Sequence, residues 1–143
     1  MSRDEPRAPD GWSKGVNVPR IRNFAFDAAN PYELARFWAA VMGQPMDAGC
    51  GPGDEEVGIR LPGSQALYFQ RVPEPKLVKN RTHICLEPEA TRDADVARIV
   101  GLGGSVVADR RNADGTGWVV LADPEGNEFC VLRSAGERSA PVS

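Results

Sequence analysis

The first third of the chain changes from an alternating hydrophobic pattern to a helical one. In residues 21–26 the bulky aromatic side chains of Phe24 and Phe26 alternate with smaller or polar ones, which predicts a β-strand. A helix is predicted to begin at Asn30 and Pro31, because asparagine can cap a helix and proline is tolerated at its first position. The apolar residues that follow at helical spacing are Leu34, Phe37, Trp38 and Val41. Gly43 is expected to end this helix as a C-cap, and the apolar face is expected to pack on a sheet.

Three predicted strands follow the first helix, and the second half of the chain repeats the order of strand, helix and three strands. After the first helix, strands are predicted at residues 44–49, 56–61 and 66–72. The second half begins with a strand at 81–86 and a helix capped by Thr91 or Asp93 and ended by the glycines at 103 and 104. It continues with strands at 105–108, 117–122 and 127–132, the first two joined by a turn at 112–115. The pattern therefore predicts an α+β fold made of two tandem βαβββ modules.

A constant offset of 60 residues relates the two halves. It matches Asn23 with His83, Gly43 with Gly103, and Gln70 with Cys130. The two halves share few identical residues, so the repeat rests on the order of the elements and on which face each side chain occupies. The modules are predicted at about 20–75 and 79–134.

The last predicted strand follows directly on an Asp-Pro-Glu-Gly turn. Gly126 can adopt a positive φ at this turn without steric cost. Strand alternation then places Phe129 and Val131 on one face, where their bulk favours a core. Glu128 and Cys130 lie on the opposite face, which favours a cavity.

Length, charge and cysteine content narrow the class of protein. A chain of 143 residues is typical of one compact domain. The net charge of −3 and the scattered lysines and arginines argue against nucleic acid as a partner. Cys50, Cys85 and Cys130 lie far apart in the sequence and lack CxxC spacing, which favours reduced thiols in a cytoplasmic protein.

The two ends of the chain differ in composition from the middle. Residues 1–19 are predicted to form a disordered arm without the apolar run of an export signal, and residues 135–143 a frayed tail. No segment approaches the roughly 20 apolar residues of a membrane helix, so a membrane is not an expected partner. Trp12 either docks on the domain or a partner, or is solvated.

Several local motifs resemble the vicinal oxygen chelate superfamily, which includes glyoxalase I, bleomycin-resistance proteins and extradiol dioxygenases. The motifs are the Asn-Pro-x-Glu-Leu-Ala-x-Phe-Trp helix ending in Gly43, the Gln70 strand, the His83 strand and the turn at 123–127. The resemblance covers residues 19–133 and is greatest to glyoxalase-like proteins of actinobacteria. It implies that each module curls into half of an open barrel of mixed sheet, with helices outside and the site in the cup. Open sheet edges also predict a homodimer.

The resemblance also implies where a metal ion would bind. Metal-dependent members take their ligands from the first and last strands of each module, positions occupied here by Asn23, Gln70, His83 and Cys130. Only Gln70 and His83 are residue types that the family uses as ligands. Cys130 stands where a carboxylate is expected, although a thiolate and an imidazole suit zinc. Glu128 lies two residues earlier on the same face and either reaches the site or forms a solvated rim. The predicted metal ligands are thus His83, Gln70, Cys130 and Glu128, an incomplete set, and a protein without a metal is favoured over one with zinc.

Three functions are compatible with these residues, and the shortage of metal ligands favours the first. The first is a small-molecule-binding protein of the bleomycin-resistance kind, without a full metal site. Its predicted ligand-binding residues are Asn23, Tyr68, Gln70, His83, Trp118 and Cys130. The second is a lyase, isomerase or dioxygenase of the glyoxalase class, either metal-dependent or with His83 as the catalytic acid–base group. The third is an accessory domain whose cup is filled by its own side chains.

Overall fold

A computed structural model describes residues 17–63 and 65–139, which divide into two compact units at the boundary between Val72 and Pro73. The first unit contains β1 (Asn23–Ala28), α1 (Pro31–Met42), β2 (Glu56–Arg60) and β3 (Ala66–Arg71). The second contains β4 (Ile84–Leu86), α2 (Arg92–Gly101), β5 (Ser105–Asp109), β6 (Val119–Ala122), β7 (Glu128–Val131) and α3 (Ala135–Ser139). Within these residues each unit has one open sheet, so the predicted α+β fold is confirmed.

In both sheets the last strand lies between the first strand and the strand that precedes it. In the first unit the strand order is β1-β3-β2, with β1 parallel to β3 and β2 antiparallel to it. In the second unit the order is β4-β7-β6-β5, and again the first strand is parallel to the last. A parallel pair of this kind needs a crossover connection, which the helix of each unit supplies.

The predicted strand at residues 44–49 is reduced to a single bridge between Met46 and Ile59. The N–H of Asp47 still donates to the carbonyl of Gly58 at 2.8 Å. The chain then turns, and the N–H of Cys50 donates back to the carbonyl of Asp47 at 3.3 Å. Because pairing stops at this turn, the first sheet has one strand fewer than predicted.

The first unit buries the apolar face predicted for α1. Trp38 is 1% exposed, and its ring lies 5.3 Å from that of Phe26 in an edge-on arrangement. Phe26 in turn lies 5.0 Å from the ring of Phe69, which is fully buried on β3. Aromatic pairs at these distances add to the stabilisation from burial. One face of the sheet is therefore committed to packing, which leaves the opposite face for other side chains.

Both ends of α1 were predicted, but only one has the expected capping contact. Gly43 adopts the left-handed conformation with φ of 63°, and its N–H contacts the carbonyls of Ala39 and Ala40. At the other end Asn30 makes no side-chain capping hydrogen bond, and Pro31 occupies the first turn. Since proline lacks an N–H, one of the unpaired donors of the first turn is already absent.

Thr91, one of the two predicted caps, begins α2. Its hydroxyl accepts a hydrogen bond from the N–H of Ala94 at 3.1 Å. Of the apolar residues on this helix, Ile99 is fully buried but Val100 is 44% exposed. The buried face of α2 is therefore narrow.

Arg92 connects α2 to the hairpin between β5 and β6. The side chain is 5% exposed, and its guanidinium donates to the carbonyls of Gly115 and Gly117, both at 3.0 Å. The turn itself closes as predicted, because the N–H of Gly115 donates to the carbonyl of Asn112 at 3.0 Å. The buried arginine thus donates hydrogen bonds to hairpin carbonyls that lie outside the sheet.

Residues 135–139, which the sequence predicts as part of a frayed tail, form the short helix α3. Ser134 and Glu137 make a capping box: the N–H of Glu137 donates to the Ser134 hydroxyl at 3.1 Å, and the N–H of Ser134 donates to the Glu137 carboxylate at 3.0 Å. The same carboxylate accepts from the N–H of Arg92 at 2.7 Å. These contacts order the segment and attach it to the start of α2.

We expect the capping box to make stability fall with acid. Burial alone raises the pKa of Glu137, but hydrogen bonds from the Ser134 and Arg92 N–H groups outweigh it and hold the pKa below its ordinary value of 4.5. A lowered pKa contributes stability above the ordinary value and loses it as the pH falls through the lowered one. Urea unfolding from pH 6 to pH values below about 4 should show this loss in the wild type and a smaller loss in Glu137→Gln. Parallel curves for the two proteins would contradict the assignment.

None of the helices in the described ranges has the length and apolar character that crossing a membrane requires.

Candidate functional site

The turn before β7 is held by the side chain of Asp123, which is 3% exposed. Its Oδ1 accepts hydrogen bonds from the N–H groups of Glu125 and Asn127, both at 2.9 Å, and the Asn127 amide donates to Oδ2 at 2.9 Å. Gly126 has φ of 90°, as predicted, and its N–H donates to the Asp123 carbonyl at 2.9 Å. These bonds fix where β7 begins and therefore the direction of its side chains.

The single histidine lies beside two of the three cysteines. The potential ligand atoms of His83, Cys85 and Cys130 all lie within 4.8 Å of one another. Cys85 and Cys130 are directly paired in the parallel ladder of β4 and β7. His83 comes two residues before Cys85, so strand alternation directs both side chains to one face. This cluster combines one imidazole and two thiols on a single sheet.

The three members of the cluster differ in their access to solvent. His83 and Cys85 are exposed, whereas Cys130 is 3% exposed. Burial, with a smaller contribution from the adjacent Cys85, raises the pKa of the Cys130 thiol to about 11. At neutral pH the Cys130 thiol is therefore protonated and is a weak nucleophile by itself.

Glu128 lies on the same strand as Cys130 but is engaged by lysines. Its carboxylate lies 2.7 Å from the Lys79 ammonium and 3.9 Å from that of Lys76, and it also accepts the N–H of Asn80 at 3.2 Å. The hydrogen bond from Lys79 is the main reason that the pKa of Glu128 lies below its ordinary value. The carboxylate is thus ionised and its charge is already offset by Lys79.

In the first unit, polar side chains form a row on the sheet face opposite to the one that packs on α1. The Gln70 amide donates to Asp27 at 2.9 Å, and the two residues are directly paired across β1 and β3. The Tyr68 hydroxyl is hydrogen-bonded to Glu56, which raises the pKa of Tyr68 above its ordinary value. Gln70 and Tyr68 are partly buried, whereas the two carboxylates are exposed. We refer to Asp27, Glu56, Tyr68 and Gln70 as the polar row.

Two further residues of the predicted site are exposed on their own units. Asn23 is exposed at the beginning of β1. Trp118 is 45% exposed and immediately precedes β6. Trp12 lies outside the described residues.

The pairing of the first and last strands corrects the predicted offset between the halves. Gln70 lies opposite Asp27, 43 residues earlier in the chain. Cys130 lies opposite Cys85, 45 residues earlier in the chain. A single offset of 60 residues therefore cannot relate both the first and the last strands of the two modules. Strand alternation does not detect this, because a shift of two residues leaves every side chain on the same face.

Cys85, Asp27 and Glu56 are the three members of these clusters that were missed as site residues. Strand alternation places Cys85 on the same face as His83, and this was the available signal. Asp27 lay beyond the predicted end of the first strand at residue 26. Its role depends on the continuation of β1 to Ala28, which no local pattern indicated.

A separate pocket of about 200 Å³ lies in the first unit, at the start of α1. It is lined by Asn30, Pro31, Tyr32, Glu33, Pro52, Gly53 and Arg71. None of these was predicted as a site residue.

Comparison with known proteins identifies the family. The sequence matches the family described as a glyoxalase-like domain over residues 23–132, which includes parts of both units. This chain belongs to the glyoxalase-like family. The predicted resemblance to glyoxalase and bleomycin-resistance proteins is thereby confirmed. No curated protein gives a significant match to this glyoxalase-like chain.

Solved structures with the same fold are distant in sequence. A glyoxalase/bleomycin resistance protein/dioxygenase family enzyme from Burkholderia phytofirmans aligns with a TM-score of 0.60 at 16% identity, over 77% of this chain and 94% of its own. A glyoxalase/bleomycin resistance protein from Albidiferax ferrireducens gives 0.58 at 17% identity, over 78% and 96%. A mutant of the fosfomycin resistance protein FosX from Listeria monocytogenes, complexed with Mn(II) and a dihydroxypropylphosphonic acid, gives 0.65 at 13% identity, over 85% and 95%. At these identities the likeness concerns the fold.

The donor set that the sequence predicted does not suit a hard divalent ion. Manganese and similar ions prefer carboxylate, carbonyl and water oxygens. The carboxylate among the predicted ligands, Glu128, is paired with Lys79, and Gln70 is anchored by Asp27. His83 and Cys130 supply nitrogen and sulfur, which favour softer metals.

Proposed function

We propose that this glyoxalase-like chain binds a small polar molecule through the polar row of its first sheet, without an oxygen-ligated divalent metal. The observation that carries the proposal is the hydrogen-bonded pairing of Gln70 with Asp27 and of Tyr68 with Glu56. Small-molecule sites use a few well-placed polar groups beside aromatic surface to orient their ligands. The polar row combines both, because the ring of Tyr68 lies among two carboxylates and an amide.

The charges of the polar row favour one class of ligand. The carboxylates of Asp27 and Glu56 accept hydrogen bonds when ionised, and the side-chain amide of Gln70 donates a hydrogen bond to Asp27. A ligand that carries hydrogen-bond donors, above all an amine, would complement the carboxylates and could stack its cation on the tyrosine ring. A carboxylate ligand would instead face two charges of its own sign. We therefore propose an amine or a similar donor-rich molecule as the ligand.

The lysines beside Glu128 support the part of the proposal that concerns metal. A divalent ion coordinated by this carboxylate would have to displace Lys79 and would lie close to its positive charge. The repulsion between the two cations opposes such a site. Binding through the polar row requires no such displacement.

The test is an NMR titration of the labelled protein with matched sets of small amines and small carboxylic acids, in the presence of EDTA. We expect the amines to shift signals of β1, β2 and β3. Asp27→Asn keeps the shape of the side chain and removes its charge, so amine affinity should fall about tenfold, equivalent to roughly 1.4 kcal/mol. The control is Asp93→Asn, which alters an aspartate whose side chain is 79% exposed in the second unit and should leave affinity unchanged.

Three results would contradict the proposal. The first is that no amine shifts the signals of the first sheet. The second is that Asp27→Asn binds as tightly as the wild type. The third is that EDTA abolishes a binding that is present without it.

The enzyme alternative rests on His83, which is exposed beside two thiols. Histidine is the side chain that most often acts as a general acid or base in enzymes. Chemical conversion of a bound compound that disappears in His83→Ala would favour an enzyme. The homodimer and the cytoplasmic location stay predictions from the sequence.

A further inference from the structure

The cluster of His83, Cys85 and Cys130 on the second sheet has the composition and spacing of a metal site. The chain contains one histidine and three cysteines, so the cluster gathers three of these four side chains. Their potential ligand atoms all lie within 4.8 Å of one another. Neither β1 nor β3, the matching strands of the first unit, contains histidine or cysteine. The cluster is therefore a property of the second module and not a consequence of the repeated fold.

The distances suit a zinc ion after small side-chain rotations. Zinc binds cysteine sulfur at about 2.3 Å and histidine nitrogen at about 2.0–2.1 Å in a tetrahedral arrangement. Two sulfurs bound in this way lie about 3.8 Å apart. The directly paired backbones of Cys85 and Cys130 place both thiols on one face, so no movement of the strands is needed.

The type and number of donors indicate which kind of zinc site this is. Structural zinc sites use four protein ligands, whereas catalytic sites use three and leave the fourth position to water or substrate. Two thiolates and an imidazole are a known three-ligand combination of this second kind. Two thiolates would also offset the charge of the ion. No negative charge is then needed from Glu128, whose carboxylate is already paired with Lys79. Exposed His83 and Cys85 give the ion a path from solvent, and buried Cys130 provides a fixed inner ligand.

We propose that His83, Cys85 and Cys130 bind one zinc ion and leave its fourth position open to water or a small ligand. This site lies within the second unit and is independent of the proposed amine binding on the first sheet. It replaces the ligand set predicted from the sequence, because Cys85 takes the place of Gln70 and Glu128.

The test begins with reduced, chelator-treated protein, which is then titrated with zinc against a chromogenic chelator. We expect one zinc per chain. Cys85→Ser and His83→Ala should each weaken binding by at least about 100-fold, since loss of an outer-shell partner alone costs about 10- to 100-fold. Cys50→Ser is the matched control, because it removes the third cysteine, which lies in the first unit, and should leave affinity unchanged.

Cobalt(II) gives a second readout that counts the sulfur ligands. The thiolate-to-cobalt absorption should correspond to two thiolates in the wild type, in Cys50→Ser and in His83→Ala. It should correspond to one thiolate in Cys85→Ser and in Cys130→Ser. Cys85 is exposed, so its variant remains informative if replacement of buried Cys130 prevents folding.

The proposal is overturned if the reduced protein binds no zinc, or if Cys85→Ser and His83→Ala bind zinc as tightly as Cys50→Ser. A cobalt complex without thiolate absorption would also overturn it, as would a Cys85–Cys130 disulfide that persists in reductant. None of these outcomes bears on the amine titration, which is carried out in EDTA.

Discussion

Gly117→Ala is expected to destabilise the second unit by about 3 kcal/mol or more. Gly117 has φ of 95°, and a Cβ atom on its backbone would lie only 2.1 Å from the carbonyl oxygen of Arg110. The obstacle is backbone, so the chain itself must move. That movement would also disturb the hydrogen bond at 3.0 Å from the buried Arg92 to the Gly117 carbonyl. Urea unfolding followed by circular dichroism would measure the loss.

Gly115→Ala is the matched control for this prediction. Gly115 lies in the same hairpin, has φ of 89° and also accepts a hydrogen bond from Arg92 at 3.0 Å. It differs in having no atom within 4 Å of an added Cβ. Only the cost of the left-handed conformation should remain, about 1–2 kcal/mol. If both variants lose the same stability, the close contact between Gly117 and Arg110 does not exist in solution.

Trp38→Ala is expected to destabilise the first unit by about 3–5 kcal/mol. Trp38 is 1% exposed and packs edge-on against Phe26 and Phe37, with ring centres 5.3 Å and 5.6 Å apart. Removing the indole would leave a cavity between α1 and the sheet that the surrounding side chains cannot fill without moving. Circular dichroism is the appropriate probe of unfolding, because the substitution removes a fluorophore.

Trp118→Ala provides the comparison, since it removes the same side chain from a position that is 45% exposed. Little cavity forms at such a position, so the loss should be about 1 kcal/mol or less. Equal losses for the two variants would contradict the burial of Trp38. A loss of ligand affinity in Trp118→Ala without a loss of stability would instead support its predicted place in a binding site.

Most of the fold could be predicted because each element is indicated by its own local pattern. The helical spacing of Leu34 and Trp38 predicted the buried face of α1, and Gly43 predicted where the helix ends. The positive φ of Gly126 followed in the same way from the turn that contains it. The errors occurred where a contact elsewhere in the chain overrides the local pattern. Glu137 orders α3 through Arg92, which lies 45 residues earlier in the chain.

The candidate site was only partly predictable. His83 and Cys130 were both predicted as site residues, and the structure brings their ligand atoms together. It did not identify Cys85 as the third member, because the metal ligands were assigned through the resemblance and not through strand pairing. The lysine partners of Glu128 were also missed, since Lys79 follows a proline-rich segment without a pattern that predicts its position.

The sequence by itself determined the order of the elements, the doubled module and the side chains that face each core, because these depend on periodicity and on the conformations of glycine and proline. Only the tertiary structure decided which polar residues meet. Cys85 lies opposite Cys130, and Asp27 opposite Gln70, because of the register between strands far apart in the chain. A period of two leaves that register undetermined, since sliding a strand by two residues keeps every side chain on its face while changing all of its partners.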